Sequence, residues 1–227
     1  MSSCEKLVIL GAGGHGREVL DLVEAINAER ERLEVLGFLV DPEYETAGTV
    51  IHDTPVLGGL DWLAAHAGEV KVACGIGYPE VRYRMVERAE AFGARFVSLV
   101  HPRAILTRWV EIGAGVVVAA GCILTNRIRL GDHVHLNVST TIAHDCRLES
   151  FAGTAPGVHV AGHAVLEEGA YLSTGVSVIP GVTIGRWSVV GAGAAVVRDV
   201  PANCVAVGVP AIPRRTKPEG WHLGVSS

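Results

Sequence analysis

The chain has 227 residues and a formal net charge of −5; 49% of its residues are hydrophobic and only 5% are aromatic. This length allows one large domain or two small ones, and the negative charge argues against a nucleic-acid partner, which favours a basic surface. No apolar run is long enough to cross a bilayer, the N-terminal segment lacks the features of a signal peptide, and five cysteines without a CxxC pair indicate reduced thiols. We therefore predict a cytoplasmic protein without membrane insertion.

Residues 1–98 are predicted to form a small α/β domain with a Rossmann-like parallel sheet. Short apolar segments of strand character alternate with segments of helical periodicity, which is typical of parallel strands joined by helices. In chain order, the predicted elements are a strand at 7–10, a helix at 15–27, a strand at 35–40, a turn around Pro42, a helix at 60–66, a strand at 70–75, a helix at 79–92 and a strand at 96–100.

The glycine-rich segment GAGGHG, residues 11–16, joins the first predicted strand to the first predicted helix. Its spacing fits the GxGxxG pattern, in which backbone N–H groups and the helix N-terminus can hold a phosphate. A plain tight strand–helix turn has the same sequence character. Because fewer than 100 residues are short for a complete dinucleotide-binding fold, we do not expect NAD here.

From residue 100 onward, a large aliphatic residue recurs at every sixth position. Sixteen of the seventeen such positions from Val100 to Val196 hold Ile, Leu or Val, although these types supply only 65 of the 227 residues. Neither the strand period nor the helix period produces a repeat of six, whereas hexapeptide solenoids do. Residues 99–227 are therefore predicted to form an all-β parallel β-helix with a C-terminal closing segment.

Each six-residue unit of such a coil builds one side, and three sides close a triangular rung of eighteen residues. The aliphatic residues fill the interior of the prism. Several glycines directly follow their aliphatic residue, and we expect them at turns that require a positive φ. These are Gly113, Gly131, Gly185 and Gly191.

The two halves together carry a resemblance that covers essentially the whole chain. The GAGGHG front domain, the β-helix repeat with the segment AHDC and the closing GVPA turn resemble the family of sialic acid O-acetyltransferases and nucleotide-amino-sugar N-acetyltransferases. The resemblance implies a left-handed β-helix, acetyl-CoA as co-substrate, no metal, and a homotrimer with active sites in the grooves between prisms. It further implies that the front domain holds the nucleotide of a sugar substrate.

Matching by motif places five residues at the nucleotide-sugar site. Gly13, Gly14 and His15 match the family's diphosphate contacts, Asp41 follows the second strand, and Gly77 lies in the GIGYPEVR turn. A solvated turn residue before Pro42 is an equally open interpretation of Asp41.

His144 and Asp145 are the predicted catalytic residues. They follow the inward-facing Ile142 by two and three positions, which places them at an outward corner of the coil. Histidine can accept a proton at neutral pH, and a neighbouring carboxylate makes it a better base. The resemblance implies that His144 is the general base in direct acetyl transfer to an amino group and that Asp145 orients it.

The remaining candidates concern acetyl-CoA. Many family members carry a second histidine nine residues after the base, where this chain has Gly153, and His135 lies one rung below that position. His135 could fill this vacancy, or it could be a surface residue without a role. His163 is expected to stack beside Asp145 and hydrogen-bond to it. The resemblance also implies acetyl-CoA contacts at Thr174 and Ala192, whereas the basic tail residues 214, 215 and 217 could meet its phosphates or be solvated.

Three other functions share part of this sequence pattern. A sialic acid or other sugar O-acetyltransferase would use the same base on a hydroxyl group. A β-helix carbonic-anhydrase-like protein would bind zinc through histidines, but the spacings His133/His135 and His159/His163 do not reproduce that ligand pattern. A non-catalytic solenoid would bind sugars or partners without turnover.

Overall fold

The computed structural model describes residues 4–30, 32–41, 43–44, 46–66 and 68–224. Its front part is a five-stranded sheet in the order β3-β4-β2-β1-β5, with β3 antiparallel to β4 and the other pairs parallel. The strands are β1 (Glu5–Leu10), β2 (Leu33–Leu39), β3 (Val50–Ile51), β4 (Thr54–Gly58) and β5 (Lys71–Cys74), and the helices are α1 (Gly14–Glu29), α2 (Leu60–His66) and α3 (Pro79–Glu90).

The three helices and the strands β1, β2 and β5 confirm the predicted alternation. The hairpin of β3 and β4 was not predicted, because its strands are short and only partly buried. The last predicted front strand is different in the structure: Phe96 makes an isolated bridge to Val72, and the strand itself begins at Leu99 in the coil. Pro42 itself lies outside the described residues, but Glu43 and Tyr44 form part of the expected turn, and the N–H of Tyr44 donates to the carbonyl of Asp41 over 2.9 Å.

The second part of the chain is the predicted left-handed β-helix, with short parallel strands on three sides. Paired strands are offset by eighteen residues, as between His135 and Gly153, and the interior is lined by the predicted aliphatic repeat. Side 1 contains β6 (Leu99–Val100), β9 (Val117–Val118), β12 (His135–Leu136), β15 (Gly153–Thr154), β18 (Tyr171–Leu172), β21 (Val189–Val190), β23 (Cys204–Val207) and the antiparallel β24 (Ile212–Thr216).

The other two sides have the same construction. Side 2 contains β7 (Ile105–Leu106), β10 (Ile123–Leu124), β13 (Thr141–Ile142), β16 (His159–Val160), β19 (Ser177–Val178) and β22 (Ala195–Val196). Side 3 contains β8 (Val110–Ile112), β11 (Ile128–Leu130), β14 (Arg147–Leu148), β17 (Val165–Leu166) and β20 (Thr183–Ile184), and a 3₁₀ helix, Trp221–Leu223, follows β24.

The residues with positive φ lie at a different position of each coil corner than predicted. The glycines that directly follow the aliphatic residue, such as Gly113, do not have positive φ; the positive φ lies two residues later, at Gly115. A Cβ at Gly113 would lie 2.8 Å from the backbone nitrogen of Asp132 in the next rung. Glycine is thus needed there for the close approach of two rungs, not for its conformational freedom.

The front part packs on side 1 of the coil, and Arg82 on α3 is the main polar connection. The guanidinium is fully buried and donates hydrogen bonds to five backbone carbonyls, two from the front part and three from the coil. Burial lowers the pKa of Arg82 to about 10, so it remains charged at neutral pH. The acceptors are the carbonyls of Ile76, Gly77, His133, Phe151 and Ala152, at 2.7–3.3 Å.

The C-terminal segment forms a second connection between the two parts. The His222 ring stacks on Trp187 of the coil with centroids 3.8 Å apart, and its backbone carbonyl accepts a hydrogen bond from Arg84 on α3. Tyr83, also on α3, packs edge-on against both rings.

In the described part of the chain, no helix combines the length and the apolar character that a membrane crossing needs.

We predict that Arg82→Met lowers the free energy of unfolding by about 3–5 kcal/mol, because several buried carbonyls lose their hydrogen-bond donors. Chemical denaturation followed by circular dichroism measures the change. Arg95→Met is the matched control, since Arg95 is exposed, and it should change the free energy by no more than about 0.5 kcal/mol. An Arg82→Met protein as stable as the control would show that the guanidinium does not hold the two parts together.

Candidate active site

A pocket of about 680 Å³ lies in the front part at the carboxyl ends of β1, β2 and β5. This is the edge of a parallel sheet at which open α/β folds bind ligands. The pocket walls come from the glycine-rich turn, the segment after β2, the segment after β5 and one face of α3, and Tyr171 closes it from the coil. The predicted residues Gly13, Gly14, His15, Asp41 and Gly77 all line it.

The glycine-rich turn has the geometry of an anion site. Gly13 is the N-cap of α1 and Gly14 is its first residue, so backbone N–H groups of the first turn are directed toward the pocket. Apart from the chain neighbours and the backbone of α1, no protein atom lies within 4 Å of a Cβ placed at Gly13, and only the Arg17 guanidinium lies at 4.0 Å from one at Gly14. The space in front of both glycines is therefore free for a ligand.

Gly16 has a different role from these two glycines. A Cβ there would lie 2.0 Å from the carbonyl oxygen of Gly11, so the absence of a side chain lets α1 start directly against the turn.

His15 connects the pocket to the coil through a chain of hydrogen bonds. Its Nδ1 donates to Glu18 (2.9 Å), and its Nε2 accepts from Nδ1 of His135 (3.2 Å). Burial lowers the pKa of His15. Burial, followed by the charge of Arg82, lowers the pKa of His135 well below its usual value. The Glu18 carboxylate favours the proton on Nδ1 of His15, and Nε2 is then the acceptor when the ring is neutral.

Asp41 is not a free solvated turn residue. Both of its carboxylate oxygens accept hydrogen bonds from Arg88 on α3, at 3.0 and 2.9 Å. Arg84 and Arg88 both line the pocket; Arg84 brings positive charge to it, whereas Asp41 offsets the charge of Arg88. Sequence reasoning missed both arginines, although their spacing of four residues on a predicted helix places them on one face.

His144 and Asp145 lie on the corner between side 2 and side 3, where the sequence predicted an outward-facing pair. The Nδ1 of His144 donates to a carboxylate oxygen of Asp145 over 2.9 Å, and the His144 side chain is 57% exposed. This hydrogen bond, with help from His163 and Arg127, lowers the pKa of the Asp145 carboxyl. The carboxylate thus fixes the tautomer that leaves Nε2 of His144 able to accept a proton.

The backbone of this corner holds the pair in place. Asp145 adopts the left-handed conformation, with φ at 60°, which aspartate tolerates better than most residues. The His144 ring lies over Gly162 of the next rung, where a Cβ would come within 2.7 Å of the ring carbon Cε1. The sequence did not point to Gly162, because its role depends on a contact between rungs.

His163 lies beside Asp145 as predicted, but without the expected hydrogen bond. Its Nε2 is 3.9 Å from the Asp145 carboxylate, which is beyond hydrogen-bonding distance. The two rungs are joined instead by the backbone, because the N–H of His163 donates to the carbonyl of His144 over 2.9 Å.

Two expectations about Gly153 and His135 are corrected by the structure. Gly153 is not an open vacancy: a Cβ there would lie 3.3 Å from the Arg82 guanidinium and 3.3 Å from the Tyr171 ring. It is buried beneath α3. His135 is likewise buried under the front part, with 3% of its surface exposed, and does not face outward into solvent.

Thr174 and Ala192 lie on a third corner, between side 1 and side 2. Both are exposed and stack on consecutive rungs, where the N–H of Gly193 donates to the carbonyl of Thr174 over 2.8 Å. In the tail, Arg214 and Arg215 are exposed on β24, whereas Lys217 lies over the Trp221 ring at 3.1 Å from its centroid.

The structure therefore separates the predicted site residues into distinct groups. The pocket rests on side 1 of the coil, through Tyr171, whereas His144 lies on the corner between sides 2 and 3. In a triangular prism that corner is opposite side 1. One chain thus carries the pocket and the His–Asp pair on opposite faces of the same coil.

Comparisons with known proteins agree with this architecture. Residues 6–89 match the family model described as the PglD N-terminal domain. The chain is 31% identical to a variant of perosamine N-acetyltransferase from Caulobacter crescentus, solved in complex with CoA and GDP-perosamine, with a TM-score of 0.86 over 94% of this chain and 98% of that chain.

Two further relatives extend the comparison. The acetyltransferase domain of PglB from Neisseria gonorrhoeae, in complex with acetyl coenzyme A, is 31% identical, with a TM-score of 0.85 over 93% of this chain and 100% of that chain. GDP-perosamine N-acetyltransferase from Escherichia coli O157:H7 is 27% identical over 186 residues, 82% of each protein. The chain is therefore an acetyltransferase that belongs to the nucleotide-amino-sugar N-acetyltransferase family of left-handed β-helix acyltransferases.

Proposed function

We propose that this protein transfers the acetyl group of acetyl-CoA to the amino group of a nucleotide-linked amino sugar, such as a UDP- or GDP-linked 4-amino-4,6-dideoxy sugar. The observation that carries the proposal is the exposed His144 imidazole, which Asp145 orients through a 2.9 Å hydrogen bond. Relatives whose names specify GDP-perosamine N-acetylation support the substrate class.

The front pocket is the proposed site of the nucleotide diphosphate. Its volume of about 680 Å³ lies in the range typical of small-molecule sites. The diphosphate is placed at the N-terminus of α1, where Gly13 and Gly14 leave backbone N–H groups accessible and the helix dipole favours an anion. Arg84 on the facing wall adds positive charge that complements the diphosphate.

In the proposed reaction, the sugar amine attacks the thioester carbonyl of acetyl-CoA directly. His144 accepts the proton that the nitrogen loses as the C–N bond forms, and the Asp145 carboxylate stabilises the resulting imidazolium. The tetrahedral intermediate then expels the CoA thiolate as the C–S bond breaks. His144 returns the proton to the thiolate, so the products are the N-acetylated nucleotide sugar and CoA with a free thiol.

We further propose that the active enzyme is a homotrimer in which two chains form each site. The pocket and His144 lie on opposite faces of one coil, so a substrate held in the pocket meets the base of a neighbouring chain. Side 2 carries exposed apolar residues, Ile105 and Ile123, that suit such a contact. Thr174 and Ala192 remain the proposed acetyl-CoA contacts, because they lie on an exposed corner that borders side 2.

We place the reaction in the cytoplasm. All five cysteines are free thiols, and four of them are buried. Unpaired buried thiols are typical of proteins in a reducing compartment.

The proposal is tested with a panel of UDP-, GDP- and CMP-linked amino sugars and acetyl-CoA, with products identified by mass spectrometry. We predict N-acetylation of at least one of them, and a loss of about 10²–10⁴ in kcat for His144→Asn, because the general base is removed. KM for the nucleotide sugar should change little. The control is His52→Asn, which alters an exposed histidine of the front part. Near-full activity in His144→Asn would show that His144 is not the general base.

A second prediction concerns the pocket. Gly14→Val should raise KM for the nucleotide sugar by at least about tenfold, because the new side chain points into the space proposed for the diphosphate. No other protein atom blocks a Cβ there, so the fold should tolerate it. Steady-state kinetics and calorimetry with CoA measure both effects. Loss of CoA binding with an unchanged KM for the nucleotide sugar would show that the front pocket holds CoA and not the nucleotide sugar.

A further inference from the structure

We infer that His144, Asp145 and His163 form a binding site for a divalent transition-metal ion such as Zn²⁺, and that the bound ion inhibits the enzyme. The metal site stands on its own geometry. Its inhibitory effect rests on the proposed function, because one of its ligands is the proposed general base.

The first support is the distance between the three side chains. One potential ligand atom from each of them lies within 4.8 Å of the other two. The His144 Nδ1 and the His163 Nε2 are 2.9 and 3.9 Å from the same oxygen of Asp145. Tetrahedral zinc with bonds of about 2.0–2.1 Å requires ligand atoms about 3.3 Å apart, so small side-chain rotations complete the set.

The second support is the rigid frame that carries the ligands. Asp145 and His163 occupy the same left-handed corner position on consecutive rungs, with φ at 60° and 61°. The backbone hydrogen bond from His163 to His144 fixes the spacing of the two rungs. The imidazole rings stand nearly perpendicular, at 86° with centroids 5.1 Å apart. The protein thus holds the three groups close together.

The chemistry of the ligands selects the metal. Two imidazoles and one carboxylate suit Zn²⁺, Cu²⁺ or Ni²⁺, whereas Mg²⁺ and Ca²⁺ prefer oxygen atoms. The side chains of His144 and His163 are 57% and 64% exposed, so an ion can enter, and a fourth position is left for water. Arg127 approaches the other Asp145 oxygen, at 3.4 Å, and leaves the oxygen near the imidazoles available.

The neighbouring Cys146 is not a ligand. Its side chain is buried, and its sulfur donates to the carbonyl of Ala161 over 3.1 Å. Burial also raises the pKa of this thiol, which opposes the thiolate form that metals bind.

An ion in this position would prevent catalysis in two ways. It takes Nδ1 of His144 as a ligand, which leaves the one ring proton on Nε2, and it takes the Asp145 carboxylate that orients this ring. His144 could then no longer accept a proton from the sugar amine. Because the same side chains serve as base and as ligands, free zinc would control how much enzyme is active.

Calorimetric titration of ZnCl₂ into tag-free protein tests the site directly. We expect one Zn²⁺ per chain and no comparable binding of Mg²⁺. His163→Gln should weaken zinc binding by about tenfold or more, because loss of a direct ligand exceeds the effect of losing an outer-shell partner. His52→Gln removes an exposed imidazole from the turn between β3 and β4 and should keep wild-type affinity.

Acetyl transfer is then measured with and without ZnCl₂, and after addition of EDTA. We expect reversible inhibition, with the inhibition constant raised in His163→Gln by the same factor as the dissociation constant. Absence of saturable binding, or equal zinc affinity in His163→Gln and wild type, would overturn the metal site. Zinc bound at the cluster without inhibition would overturn its effect on the enzyme. If zinc binds as expected but metal-free protein transfers no acetyl group, the proposed function fails and the metal site stands.

Discussion

The buried guanidinium of Arg82 is the interaction on which the arrangement of the molecule depends. It is a charged group without a carboxylate partner, and it is satisfied only when carbonyls of the front part and of the coil converge on it. A buried charge that loses its partners is strongly unfavourable, so the two parts cannot move apart without a large cost. The pocket, whose wall includes Gly77 and Tyr171, is therefore fixed on side 1 of the coil.

The attachment of the front part to side 1 separates the pocket from His144 within one chain. The regular coil sets the corner that carries His144 opposite the side that carries the pocket, and no bending of a rigid prism can bring them together. In a single chain, the proposed anion site and the proposed base therefore face in different directions. In the proposed trimer, the corner of one chain that carries His144 can face the pocket of the next chain.

The regular parts of this protein could be predicted from its sequence, and the contacts between its parts could not. The six-residue repeat specifies which residues fill the coil, and it placed His144 and Asp145 correctly on an outward corner. Periodicity gives no information about what covers the outside of the coil. Gly153 was therefore interpreted as an open space, although Arg82, distant in sequence, occupies it.

The corners show a similar limit. Gly113 and Gly115 are both glycines, but one is required by the next rung and the other by a positive φ, and the sequence alone does not separate these causes. The role of Gly162 beneath the His144 ring depends on the same stacking of rungs.

Co-expression of two impaired variants, assayed at a nucleotide-sugar concentration well below KM, tests most directly whether the pocket of one chain works with the base of another. Trimers that contain both Gly14→Val and His144→Ala chains include sites with an intact pocket from one chain and an intact base from its neighbour. With random assembly, roughly a quarter of the sites should be complete, and activity should recover to about that fraction of wild type. A mixture no more active than either variant alone would contradict the account and place the pocket and the base of each site in the same chain.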